Sequence, residues 1–436
     1  MGVDPHDEPT QPGIEALEER RAAVSALLLD LGTAMHGAAL PSPIIERRLR
    51  DIAGTMGVRA EIFVLQGLLV IETDEAPAAR AYRADLRRVS FDTHWNLKRV
   101  HALTALCGSL ARGERSITSA RTELERIKDL PRVYPKWLIV LAYAVYGAAV
   151  AARVGGAALE ALAGGIVGLV AGVVHFEALR REKVDLEKSF LAALVGGLTT
   201  FSLTSLLPPF DTGRALFGGM TLLVPAMAVA IATTELANDA LESGLARLAF
   251  GLLRALMLAF GVGLALWLCP LMAPVSPRVI SSPLPLPVAL LFVGVGGVAL
   301  TACLQGRKED LPWIAGAALL AFGTQEATRL LVGGHGSPLL SALVVGLAAQ
   351  AYGRLTGKVP ATIVIAGLLQ LVPGFLGTQP VLDLLSGNHL APAPEQARLF
   401  AAAMTALQLG IGLFLAELLA GRGARAQLEG VPAAAP

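Results

Sequence analysis

The chain has 436 residues, of which 54% are hydrophobic and 16% charged, with a mean hydropathy of +0.59 and a formal net charge of +1. Because soluble domains carry roughly 25% charged residues, a purely soluble protein is excluded, and the near-zero net charge predicts no nucleic-acid partner. The three cysteines, Cys107, Cys269 and Cys303, lie far apart and form no CxxC pair, which excludes a disulfide framework and a zinc site of closely spaced cysteines.

The first 136 residues are rich in charge and predict a soluble domain ahead of a membrane region. Residues 1–14 are polar and proline-rich, which predicts disorder, and they lack the basic and apolar segments of a signal peptide. We therefore expect residues 15–135 to form an α+β domain that stays in the cytoplasm. Its predicted elements, from apolar periodicity and turn residues, are helices over about 15–38 and 45–56, a hairpin of strands 60–65 and 68–73, and helices over about 96–111 and 118–130.

Two groups of polar residues in this domain invite a functional interpretation. His36, His94 and His101 have no cysteine or carboxylate at ligand spacing, so neither a metal nor another cofactor is predicted. A basic group either meets anionic lipid headgroups beneath the bilayer or is simply a solvated face. Its members are Arg83, Arg87, Arg88, Lys98 and Arg99.

From Trp137 onward, apolar runs of membrane-spanning length follow one another almost to the end of the chain. A bilayer core needs roughly 20 apolar residues per helix, and ten such runs predict a polytopic membrane domain of ten helices. The predicted spans are 137–153, 157–177, 188–207, 216–236, 246–269, 284–304, 311–331, 338–353, 359–376 and 398–420.

Loop charge predicts the orientation of these spans. With the N-terminal domain in the cytoplasm, inner loops hold eleven basic residues and outer loops four, which agrees with the positive-inside rule. The inner residues are Arg180, Arg181, Lys183, Lys188, Arg247, Arg307, Lys308, Arg354, Lys358, Arg422 and Arg425, and the outer ones are Arg153, Arg214, Arg278 and Arg398. We therefore expect both termini, including a tail over 422–436, on the cytoplasmic side of the inner membrane.

The ten spans also suggest an internal duplication. Leu223-Val224-Pro225 matches Leu371-Val372-Pro373 at an offset of 148, and Glu177 matches Glu326 at 149. This predicts two five-span repeats, over 136–270 and 283–421. Because each unit has an odd number of spans, the two copies insert in opposite senses, an arrangement common in secondary transporters.

The candidate transport site lies where prolines interrupt two spans. Pro225 falls in the fourth span and Pro373-Gly374 in the ninth, and a proline frees backbone carbonyls that need another partner in lipid. The interruptions are either substrate sites or simple kinks. The predicted substrate-binding residues are Pro225, Gln325, Gln370, Pro373 and Gly374.

Ionisable groups inside apolar spans are functional candidates by default. Burial raises a carboxylate pKa toward neutrality, so a buried glutamate can carry a proton through a transport cycle. Glu326 is the first candidate, Glu177 is its repeat mate, and Glu235 is the third; groups near span ends also have the simpler role of reaching the headgroups.

Signatures of other functions are absent from the sequence. No complete P-loop, HExxH or GxSxG occurs, so any active transport is expected to use an ion or proton gradient. A membrane-embedded enzyme and a membrane-anchored sensor are the alternatives, and formation of a homo-oligomer stays open.

Several segments resemble the threonine/serine exporter family, in the family's order and over about residues 20–420. They are Gly37–Pro41, Glu46 with Leu49, Met56-Gly57, the proline-rich junction Pro131–Leu138, the segment from Glu235–Asp239 to Ser243–Arg247, and Leu371–Gly374. Two departures are Pro225-Ala226, where the family carries Pro-Gly, and the segment Tyr82–Arg99. The resemblance implies export of threonine and serine driven by the proton-motive force, with small dicarboxylates such as succinate as the alternative substrates.

Overall fold

The computed structural model describes residues 11–74, 82–89, 96–180, 185–269, 282–332, 337–371 and 395–420. The chain divides into two compact units near Pro131. The first unit holds helices α1 (Gln11–Gly37), α2 (Ser42–Thr55), α3 (Leu97–Ala111) and α4 (Ile117–Lys128), and strands β1 (Ala60–Leu65), β2 (Leu68–Asp74) and β3 (Tyr82–Arg88).

The three strands form one antiparallel sheet in the order β1-β2-β3. The predicted hairpin is confirmed, and its turn needs Gly67 because the backbone there has φ +118°. The third strand, β3, was not predicted. Its inward residues are polar: Asp85 accepts a hydrogen bond from Ser25 at 2.6 Å, and Arg87 forms an ion pair with Asp30. A strand held by polar bonds lacks the apolar alternation by which strands are recognised in a sequence.

The second unit contains a helix at each of the ten predicted span positions. The helices are α5 (Lys136–Arg153), α6 (Ala158–Arg180), α7 (Asp185–Leu203), α8 (Thr212–Met220) with α9 (Ala226–Ala237), α10 (Leu241–Leu268), α11 (Leu286–Cys303), α12 (Leu311–Val332), α13 (Ser337–Thr356), α14 (Ala361–Leu371) and α15 (Glu395–Ala420).

Six helices of the described chain are long and apolar enough to cross a membrane, or seven if α8 and α9 count as one bent span. The protein is therefore a mostly helical, polytopic membrane protein with a small three-stranded sheet. α7 and α12 are not among the six. Polar residues interrupt their apolar surface, as Gln325, Glu326 and Arg329 do near the end of α12.

The loops that follow α5 and α11 have the same backbone path, 150 residues apart. In the first loop, the N–H groups of residues 154, 155 and 156 bond to the carbonyls of residues 150, 152 and 151. In the second loop, the N–H groups of residues 304, 305 and 306 bond in the same order to the carbonyls of residues 300, 302 and 301. The second of the three donor residues has a positive φ in both loops, +92° at Gly155 and +55° at Gln305. Both helices also have 18 residues and begin after a proline.

The contact between the third and fifth helices is also the same in the two halves. A Cβ placed on Gly261 of α10 would meet the Phe190 carbonyl oxygen, the Ala193 methyl and the Leu194 nitrogen of α7. A Cβ on Gly412 of α15 would meet the same three atom types of α13, on Leu339, Ala342 and Leu343. The two helix pairs therefore pack through the same close contact.

Candidate transport site

The fourth predicted span is broken where the sequence places Pro225. Helix α8 ends at Met220, a short 3-10 turn covers Thr221–Leu223, and Val224 is extended with φ −65° and ψ 130°. Pro225 then precedes α9, and the two arms meet at 59°. The break predicted at Pro225 is confirmed. Its role in substrate binding stays a prediction.

The backbone groups at this break find local partners. The Thr221 carbonyl, which cannot bond to the nitrogen of Pro225, accepts the Val224 N–H at 3.2 Å. The Thr221 hydroxyl donates to the Phe217 carbonyl at 2.7 Å. These two groups of Thr221 therefore bond within the turn itself, as the lipid environment favours.

In the second half, α14 ends at Leu371, and the predicted residues Pro373 and Gly374 lie outside the described residues. Gln370 is described, and its side chain is 2% exposed. Directly before it, the carbonyl of Leu369 accepts a hydrogen bond from the Tyr146 hydroxyl at 3.3 Å. A helical carbonyl normally bonds to the N–H four residues on, and here that residue is Pro373, which has none. The tyrosine therefore satisfies a carbonyl that the proline leaves open.

The structure brings the helix after the first break and the helix before Pro373 together. Helix α9 contacts α14, and Tyr146, Met227 and Leu369 belong to one buried cluster. Pro225, at the start of α9, and Gln370, near the end of α14, therefore belong to two helices that pack against each other. Tyr146 is a functional candidate that sequence reasoning missed, and a phenol in an apolar span was the signal for it, since a buried hydroxyl needs a partner.

Glu235 has a buried partner. Both of its carboxylate oxygens accept bonds from Arg247, at 2.9 Å each, and the two side chains are 0% and 7% exposed. The pair joins α9 to α10 across a turn in which Asp239 has φ +61°. A buried ion pair of this kind makes Glu235 an anchor for the helix that follows the break, whatever its part in proton transfer.

Glu326 lies in a more open setting. Its side chain is 28% exposed and pairs with Arg329, one turn further along α12, at 2.8 Å. Arg153, at the end of α5, lies within electrostatic range of Glu326 and Tyr146. Gln325, the residue before Glu326, is partly buried. The carboxylate of Glu326 is thus only partly buried and lies near the cations Arg329 and Arg153, and its part in proton coupling stays a prediction.

Glu177 lies near the C-terminal end of its helix, α6, as Glu326 does in α12, and is partly buried. The two residues before it make ring contacts: His175 stacks on Tyr143 with ring centroids 5.7 Å apart, and Arg132 lies 4.9 Å from the centre of the Phe176 ring. The described residues include no group of three or more His, Cys, Asp or Glu side chains arranged to hold a metal ion.

Comparison with known proteins identifies the family. The family model described as "Putative threonine/serine exporter" matches residues 26–269 and 279–419. The chain belongs to this family. The match covers the soluble unit and both halves of the membrane unit, so the resemblance seen in the sequence motifs is confirmed. Membership of an exporter family also favours a transport protein over an enzyme.

A curated relative adds a distant similarity. Pheromone-regulated membrane protein 10 of Eremothecium gossypii is 20% identical over 373 residues, which cover 82% of this chain and 49% of that protein. The chain therefore spans about half the length of the curated relative it matches. No solved structure matches the chain.

Proposed function

We propose that this exporter-family member carries small amino acids, chiefly threonine and serine, out of the cytoplasm across the inner membrane in exchange for protons. The observation that carries the proposal is the contact beside Tyr146 between α9, which follows the break at Pro225, and α14, which the sequence continues into Pro373-Gly374. Interrupted helices in transporters offer backbone donors and acceptors to a substrate near the membrane midplane. A zwitterion needs both kinds of group.

The proposed architecture is ten spans in two five-span repeats of opposite orientation, with both termini in the cytoplasm. Support comes from helices at all ten predicted positions, from the matching loops after α5 and α11, and from the matching glycine contacts of α10 and α15. The loop charges set the orientation. In this arrangement α5 and α11, the first helices of the two repeats, pack against each other, as expected for elements beside a pseudo-two-fold axis.

We further propose roles for the predicted site residues. The backbone around Pro225 and around Pro373-Gly374, with Gln370, Gln325 and Tyr146, would bind the ammonium and carboxylate groups of the substrate. Glu326 would couple protons, with Glu177 as its counterpart in the other repeat. Glu235 would act mainly by positioning α9, because Arg247 already neutralises its charge.

Reconstitution tests the substrate. Purified protein in liposomes loaded with labelled threonine, serine or succinate should release threonine and serine faster than protein-free liposomes when a pH gradient is imposed. Release of succinate alone would contradict the amino-acid assignment in favour of a dicarboxylate. If none of the three compounds is released faster than from protein-free liposomes, the transport function itself is contradicted.

The coupling residue is tested by Glu326→Gln. We expect this variant to lose the dependence of threonine export on the imposed pH gradient, because the amide cannot carry a proton. Glu309→Gln, which alters an exposed acid in the turn that precedes α12, is the matched control and should keep the dependence. If Glu326→Gln exports threonine normally at every imposed gradient, the assignment is wrong.

A further inference from the structure

Two buried acids, Glu160 and Asp310, occupy equivalent places in the two matching loops of the membrane unit. They lie 150 residues apart and are 1% and 0% exposed. Each is at the start of the second helix of its half, α6 or α12. Neither was singled out from the sequence.

One oxygen of each acid holds its own loop. Glu160 Oε2 accepts the N–H of Ala157 at 2.8 Å, and Asp310 Oδ2 accepts the N–H of Arg307 at 3.1 Å. Both bonds reach back three residues, which is the acid's half of a capping box. A carboxylate at this position also interacts favourably with the helix dipole. This oxygen keeps the acid in place independently of the rest of the unit.

The other oxygen of each acid reaches the segment that leads into the fourth helix of the same half. Glu160 Oε1 accepts the backbone N–H of Asp211 at 2.7 Å, just before α8. Asp310 Oδ1 accepts from Lys358 Nζ at 3.0 Å, just before α14. The partners are 51 and 48 residues away along the chain. A longer acid bonds to a backbone donor in one half, and a shorter acid bonds to a long cationic side chain in the other.

We propose that these contacts are the two gate latches of the transport cycle. The outer latch is Glu160 with Asp211, and the inner latch is Asp310 with Lys358. Each ties the interrupted helix of its half to the second helix, on opposite membrane faces. Breaking the outer latch frees α8 at the outer face, and breaking the inner latch frees α14 at the cytoplasmic face.

The arrangement of oxygens suits such a role. When the fourth helix moves, only one bond of the acid has to break, since the capping bond stays within the loop. The Asp310–Lys358 bond joins two ionised groups, whereas only the acceptor is ionised in the outer latch, so the inner latch should be the harder to open. Both latches are closed in this structure, as expected for a state with neither gate open. The inference rests on the proposed alternating-access function and on its inverted topology.

A single reporter cysteine tests the proposal. Thr221 is 3% exposed and lies at the break in the fourth span, so Thr221→Cys in a background without the three native cysteines reports access to the midplane. A membrane-impermeant maleimide is added to one face of oriented vesicles at a time. Lys358→Gln should raise labelling from the cytoplasmic face about tenfold, the change expected when about 1.4 kcal/mol is removed from one of two states.

The outer latch is tested by removing its backbone donor. Asp211 has φ −73°, which proline can adopt, so Asp211→Pro deletes the N–H with little change of backbone. It should raise labelling from the outer face. Asp211→Ala is its matched control, because it removes the same side-chain cap and keeps the N–H. Lys308→Gln, in the same turn as Asp310 but exposed, is the control for the inner latch.

The readout separates a latch from a merely structural contact. A structural role predicts loss of folded protein or equal labelling from both faces, and either result, in these variants and in Glu160→Gln and Asp310→Asn, would overturn the proposal. If Lys358→Gln raises labelling from the outer face and Asp211→Pro raises it from the cytoplasmic face, the latches stand and the proposed orientation is wrong. Unchanged labelling with normal export would overturn the latches and leave the proposed function intact.

Discussion

The loop after α5 and the loop after α11 follow the same backbone path, yet their acids have different partners. Glu160 bonds to a neutral backbone N–H and Asp310 to the Lys358 ammonium. The interrupted helices differ in the same way. The Thr221 carbonyl is satisfied by its own turn, whereas the Leu369 carbonyl needs Tyr146 from another helix. The two halves thus share their backbone geometry and differ in the polar groups attached to it.

That difference bears on how a transporter with two similar halves distinguishes its faces. Two identical halves would open equally easily to either side. Here the position of Tyr146 in α5 corresponds to Gly296 in α11, and a Cβ there would already meet Ala149. The tyrosine, the lysine and the buried Glu235–Arg247 pair each occur in one half of the described chain. We expect these groups to set the direction of export.

The ion pairs should give the largest effect. Arg247→Met leaves the buried Glu235 without its partner, which costs about 3–5 kcal/mol in stability. Arg329→Met removes the partly exposed partner of Glu326 and should cost about 0–1 kcal/mol. Thermal unfolding of the purified variants in detergent measures both. Equal losses of stability in the two variants would contradict the difference between the halves that the burial of their ion pairs indicates.

The shared packing should give the next largest effect. Gly261→Ala and Gly412→Ala each place a methyl against a carbonyl oxygen of the facing helix, and overpacking of this kind costs roughly 1–3 kcal/mol. Gly316→Ala is the control, because open space surrounds that position, and alanine there should gain up to about 1 kcal/mol in helix propensity. A large loss at one of the first two positions and none at the other would contradict the matching of the two helix pairs.

The tyrosine should give the smallest effect on stability. Tyr146→Phe removes the donor to the Leu369 carbonyl and should cost about 1 kcal/mol, together with a lower rate of threonine export from loaded liposomes. Thr221→Val, at the corresponding break, keeps the carbonyl's own N–H partner and should change stability less. The reverse order would show that the α14 carbonyl has another partner and that Tyr146 only fills space.

Much of the architecture could be predicted because its causes are local. Apolar runs of sufficient length predicted a helix at each of the ten span positions, and the missing N–H of Pro225 predicted the break in the fourth span. The alternating residues on either side of Gln66-Gly67 placed the hairpin. Each of these features depends on residues within one segment, which a reading of the chain can compare directly.

The contacts that define the candidate site depend instead on how segments pack. Tyr146 meets Leu369 from 223 residues away, and Glu160 meets Asp211 from 51. The third strand is held by Ser25 and Asp30 of a helix, 60 and 57 residues from their partners. The sequence by itself determined where helices start, stop and break, because propensity and apolar periodicity act over a few residues. Only the tertiary structure decided which buried polar groups pair, because such a group must bond to whatever packing brings within about 3 Å.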